Sequence, residues 1–84
     1  MKKIYIYEYN MHMGKLIDLS SPIDFNTSHH PDAVNIPYQR FMLHYPEFLN
    51  KQDVYYLTCK KGLNSHKAVS MLEYFGYNVV QVTQ

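Results

Sequence analysis

At Tyr56-Leu57-Thr58-Cys59-Lys60-Lys61-Gly62-Leu63-Asn64-Ser65 an apolar run gives way, at the only cysteine of the chain, to a short basic loop. Upstream, Asp53-Val54-Tyr55 extends the run, and this density of β-branched and aromatic side chains predicts a strand over residues 53 to 58. Beyond the loop Lys60 to Asn64, the residues Ala68, Met71, Leu72 and Phe75 recur at i, i+3, i+4 and i+7, which is one apolar face of a helix. Gly76 is a natural stop for that helix, and Val79-Val80-Gln81-Val82 predicts a last strand. Strand, cysteine loop, helix and strand make a βαβ unit, in which a right-handed crossover joins parallel strands.

The earlier residues repeat the alternation. Leu16-Ile17-Asp18-Leu19 is short and apolar, as buried strands of parallel sheets are. Ser21 as a cap, Pro22 at the first helical position and Asp24 three residues after Ser21 then predict a short helix over residues 22 to 26. Pro31 and Pro37 bracket a brief extended segment, residues 32 to 36. Phe41, Tyr45 and Phe48 mark a helix within residues 38 to 49, which Pro46 must break or restart. The Ile/Tyr alternation of residues 4 to 9 predicts an extended segment with both faces partly covered. The expected fold is therefore α/β: an open, mostly parallel sheet of about five short strands with helices on both faces.

Eighty-four residues hold one domain with one core, and residues 1 to 84 are read as a single unit. Apolar residues are 46% and charged residues 18%, below the usual ~25%, which excludes intrinsic disorder. A net charge of +1 supplies no global drive toward nucleic acid or an anionic membrane, so neither is expected as a partner. No apolar run reaches the ~18 residues of a membrane span and no signal-type segment is visible, so a cytoplasmic location is expected. A single cysteine rules out an internal disulfide and fits a reducing compartment.

In a parallel sheet ligands sit at the carboxyl ends of the strands, which is where Cys59 falls. A tight loop before a helix turns backbone N–H groups toward its centre, and the helix N-terminus adds partial positive charge. Lys60, Lys61, His66 and Lys67 surround Cys59, with no acidic residue from 59 to 72. All of these favour the thiolate over the thiol, as a nucleophile or persulfide carrier needs. The plainer alternative is an inert thiol packed at a strand end; position and local charge favour the reactive one.

The segments Leu16-Ile17-Asp18-Leu19, Asp24-Phe25, Ser28 to Pro37 and Tyr56 to Ser65, with the helix and strand from Ser65 to Val82, resemble the rhodanese domain. That pattern reads L-I-D-V-R, E-F, G-H-I-P-G-A-x-N-I-P, V-x-Y-C-x-x-G-x-R-S and A-x-x-L-x-x-x-G-[FY]-x-x-V, and the resemblance covers residues 16 to 83. It implies a sulfurtransferase in which Cys59 takes sulfur from a donor and carries it as a persulfide to a thiophilic acceptor. The backbone of Lys60, Lys61, Gly62, Leu63, Asn64 and Ser65 would cradle the terminal sulfur, with Ser65 opening the helix and the two lysines as electrostatic support. His29 would tie its loop by hydrogen bonds, and Asp18 would accept backbone hydrogen bonds at its strand end. No cofactor is implied.

Two family arginines are replaced, by Ser20 and Asn64, so the oxyanion of thiosulfate loses its bidentate partners, which lysine does not copy. A polysulfide or a persulfide-donor protein is the expected partner, ahead of thiosulfate. Phosphoryl transfer on a related loop requires an arginine where Ser65 stands. The rival class is a catalytically silent binding, regulatory or thiol-sensing module. Because little precedes Leu16 and the chain stops at Gln84, a partner or a homodimer is expected to complete the core. The adjacent His29 and His30 point apart on an extended loop with no ligand at the right spacing, so no metal site is expected. Nine tyrosines without interleaved basic residues read as packing, not as a base-stacking surface.

Overall fold

The computed structural model describes residues 1 to 84. Its strands are β1 (Lys3–Tyr5), β2 (Lys15–Asp18), β3 (Ala33–Asn35), β4 (Val54–Thr58) and β5 (Asn78–Thr83), and its helices are α1 (Pro22–Thr27), α2 (Tyr38–Phe48) and α3 (Leu63–Tyr74). All strand pairs are parallel, in the order β1-β5-β4-β2-β3. From β2 the chain steps outward to β3. It then returns past β2 to β4 and runs the other way to β5. The direction of winding therefore reverses between β2 and β4, and the loops that follow these two strands part at the carboxyl edge of the sheet. A crevice forms at such a switch point.

Alternation along the central strands assigns the two faces. Ile17, Leu57 and Val79 join Phe41 of α2 and Ala68, Val69 and Leu72 of α3 in the larger core. Leu16, Tyr56, Val80 and Val82 face the other way and pack with Tyr9 in a smaller one. Right-handed crossovers place α2 and α3 on one side and α1 on the other, because the β2-to-β3 step crosses the sheet in the opposite direction. No residue of α1 is buried.

Local chemistry explains the element ends. The hydroxyl of Ser21 accepts the N–H of Asp24 at 3.2 Å, with Pro22 at the first helical position, and the carboxylate of Asp24 makes no return bond to Ser21. Proline 46 lacks an N–H and kinks α2, with non-helical angles at His44. At the end of α3, Gly76 takes φ +93°, while Gly76 N–H reaches Glu73 O at 3.1 Å and Tyr77 N–H reaches Leu72 O at 3.0 Å. This paired closure satisfies the last helical carbonyls.

Three expectations need correction. Residues 4 to 9 are not one extended segment: β1 ends at Tyr5 and a single 3-10 turn covers Ile6–Glu8. The Glu8 carboxylate accepts the Tyr5 N–H at 2.9 Å, which folds the chain back and delivers Tyr9 into the smaller core. Phe75 lies beyond the last turn of α3, half-exposed and stacked on Tyr45 at 6.4 Å, and the buried face of the helix is Ser65, Ala68, Val69 and Leu72 instead. The cysteine loop is also shorter than expected. Leu63, Asn64 and Ser65 already form the first turn of α3, so Leu63, not Ser65, opens the helix.

Candidate active site

Cys59 follows β4 directly, at the switch point. Only 5% of its surface is exposed, yet it lines a depression of ≈ 330 Å³. One wall comes from the turn after β2, with Ser20, Ser21 and Asp24; the other comes from Lys60, Lys61, Leu63 and Asn64. Volume alone would not select this hollow, since one of ≈ 550 Å³ lies around Met13, Lys15 and Val54 at the opposite edge of the sheet. Chemistry selects it, because only this one contains the thiol.

The turn after Cys59 is made by Gly62, whose φ of +78° is a left-handed conformation that a side chain resists. This turn sets α3 so that Ser65 comes back over the sulfur. Ser65 N–H donates to Cys59 Sγ at 3.2 Å, and the Ser65 hydroxyl lies 3.4 Å from the same atom. The amides of Lys60 through Asn64 have no acceptor within the chain. The sulfur thus meets one amide directly, at the positive end of a helix, with a row of unclaimed donors at the rim.

The remaining candidate residues divide. The ammonium of Lys60 bonds the backbone carbonyl of Ser28 and its hydroxyl at 3.1 Å, so it braces the loop against the segment after α1. Lys61 is exposed and makes no ion pair within 4.0 Å. His29 bonds Phe25 O through Nδ1 at 2.6 Å and stacks on the Phe25 ring, while His30 Nδ1 accepts the Asp32 N–H at 3.1 Å. The two imidazoles do not converge. Asp18 is fully buried; its Oδ1 accepts the Ser20 N–H at 2.9 Å and its Oδ2 has no partner. It supports the turn after β2 from the face opposite Cys59 and does not enter the depression.

Two residues were missed by the sequence reading. Asp24 puts an acidic residue on a wall that looked purely basic along the chain, because it arrives from the first turn of α1, far from Cys59 in sequence. Gln81 of β5 sends Nε2 to Gly62 O at 3.1 Å and Ser65 Oγ at 3.4 Å, beneath the cysteine loop. A glutamine within a run of valines was the signal, and its meaning depends on β5 being an interior strand.

The family model for the rhodanese-like domain matches residues 5–84. The chain belongs to the rhodanese-like family. Among solved structures, this rhodanese-like domain is similar to SSP1007 of Staphylococcus saprophyticus subsp. saprophyticus, with 26% identity and a TM-score of 0.84 over 99% of this chain and 87% of that one. It is also similar to a rhodanese-like domain protein of Staphylococcus aureus, with 26% identity and a TM-score of 0.79 over 99% and 85%. A rhodanese-related protein of Thermoplasma volcanium, at 24% identity, shares the fold with a TM-score of 0.84 over 99% and 84%. No curated protein matches the sequence. No helix of this rhodanese-like domain is long and apolar enough to cross a membrane.

Proposed function

We propose that this rhodanese-like domain is a sulfurtransferase that carries sulfane sulfur as a persulfide on Cys59. The observation that carries the reading is the Ser65 N–H on Cys59 Sγ at 3.2 Å, at the head of α3 and beside amides that lack an acceptor. Fixed dipoles of this kind stabilise charge where it develops without reorganising. In the first step the Cys59 thiolate attacks the outer sulfur of a donor. A new S–S bond forms, the donor's own S–S bond breaks, and the donor leaves as a thiolate if it was a protein persulfide, as a polysulfide one sulfur shorter if it was a polysulfide, or as sulfite if it was thiosulfate. In the second step an acceptor thiolate attacks the outer sulfur and returns Cys59 as thiolate, with no net oxidation.

The walls favour a small polysulfide or a persulfide carried on a protein over thiosulfate. Ser20 and Asn64 offer no guanidinium to the sulfonate end of thiosulfate, an end that a polysulfide or protein persulfide lacks, and Lys60 is engaged with Ser28. The same replacements support a second reading, a binding or thiol-sensing module without turnover. Intact mass measurement separates the two. After incubation with polysulfide the protein is expected to gain the mass of sulfur, releasable by dithiothreitol and absent in Cys59→Ser. No gain from polysulfide or thiosulfate rejects the sulfurtransferase.

A further inference from the structure

Gln81 lies in the middle of β5, paired in register with Leu57, on the face that otherwise carries Ile17, Leu57 and Val79. It is 5% exposed. An amide buried among aliphatic side chains costs stability unless its polar atoms are used. Its Oε1 has no partner, so the residue is only half satisfied. Its Nε2 reaches Gly62 O at 3.1 Å and Ser65 Oγ at 3.4 Å. A carbonyl only accepts, so Gly62 determines which end of the amide faces the loop.

Counting hydrogens gives this arrangement a purpose. The Ser65 hydroxyl lies 3.2 Å from Gly62 O and 3.4 Å from Cys59 Sγ, and it has one hydrogen to give. While Cys59 is a thiol, S–H donates to Ser65 Oγ, and the Ser65 O–H donates to Gly62 O. When the thiol proton leaves to solvent, the sulfur becomes an acceptor only, and the hydroxyl must turn its hydrogen toward the sulfur. That turn removes a donor from the Gly62 carbonyl. Two others remain on it: Gln81 Nε2, and the His66 N–H at 3.0 Å.

We infer that Gln81 is a positioning residue, which holds the Gly62 carbonyl and the Ser65 oxygen so that the Ser65 hydroxyl is released to the sulfur anion of Cys59. The inference rests on Cys59 as the sulfur carrier, but it is tested on the thiolate itself, with no sulfur donor present. A failure of the transfer reading therefore leaves this result intact, and the reverse holds as well.

The experiment is the pH dependence of Cys59 alkylation by iodoacetamide. Gln81→Met keeps a similar volume and removes both amide groups. It is expected to displace the midpoint upward by about one pH unit, the scale of a weakened hydrogen bond to a charged group. Because an unsatisfied carbonyl leaves the core, the urea midpoint of Gln81→Met should not fall, the opposite of what loss of a purely structural residue produces. Gln81→Asn draws the amide back by one methylene and should give the same displacement, so the test does not depend on one variant folding. In a Ser65→Ala background neither change should move the midpoint further. An unmoved midpoint in the Met and Asn variants, or an equal displacement without the Ser65 hydroxyl, overturns the inference.

Discussion

The ammonium of Lys60 is bound to Ser28, thirty-two residues away in sequence, and this bond joins the cysteine loop to the segment after α1. The neighbouring lysine has no such tie, so two adjacent residues of like charge carry different roles. Lys61→Met should lower the second-order rate of sulfur uptake from an anionic donor a few-fold at low salt, and the difference from the parent should vanish at high salt. Lys60→Met should lose activity that salt does not restore, together with about 0.5 to 1 kcal/mol of stability, the net worth of a partly exposed hydrogen bond. Identical salt responses in the two variants would contradict this division.

Asn64 occupies the depression beside Cys59 with an amide where a guanidinium would grip an oxyanion. Asn64→Arg is expected to raise kcat/KM for thiosulfate about tenfold or more, the scale of one charge-assisted hydrogen bond. Turnover of polysulfide should change little. Steady-state kinetics with both donors decide the matter, and an unaltered thiosulfate rate would remove the missing guanidinium as the limiting feature.

Gly62 takes a left-handed conformation with open space where a side chain would go, its nearest neighbour there being Gln81 Nε2 at 3.7 Å. The strain of a substitution is thus conformational, not steric crowding. Gly62→Ala should cost about 1 to 2 kcal/mol in urea unfolding. It should also slow Cys59 alkylation, because the same turn aims Ser65 at the sulfur.

Burial pushes the Tyr9 phenol above its ordinary value of 10.0, and Asp32 and Tyr56 add to the shift. Between the unfolded and folded values the native state binds more protons than the unfolded chain. The stabilising contribution is therefore complete below pH ~10 and declines as pH rises through the folded value. Tyr9→Phe should lose about 1 kcal/mol at neutral pH with the 2.7 Å bond to Gly14 O. It should also show a shallower alkaline fall in unfolding free energy than the parent; parallel curves would refute the assignment.

Where local rules and long-range packing agree, the fold was legible in advance. Ser21-Pro22 starts α1, Pro46 kinks α2 and Gly76 closes α3, because each acts within a turn of its own position. The Ile/Tyr alternation of residues 4 to 9 misled, since the bond from Tyr5 N–H to Glu8 ends the strand early. At the site, Cys59 stood out by its place after a strand. Asp24 and Gln81 did not, one arriving from the first turn of a helix distant in sequence and the other appearing as a polar interruption in a strand of unknown depth.

The amino-acid order by itself determined the alternation of strands and helices, the family and the position of the thiol, because hydrophobic period, caps and turn residues act over a few neighbours. Tertiary structure alone decided which lysine is tied, that an acid shares the wall with the thiol, and that a buried amide lies beneath Ser65. Those facts depend on which strands end up adjacent and on which face each side chain leaves, and both are fixed only when the sheet assembles.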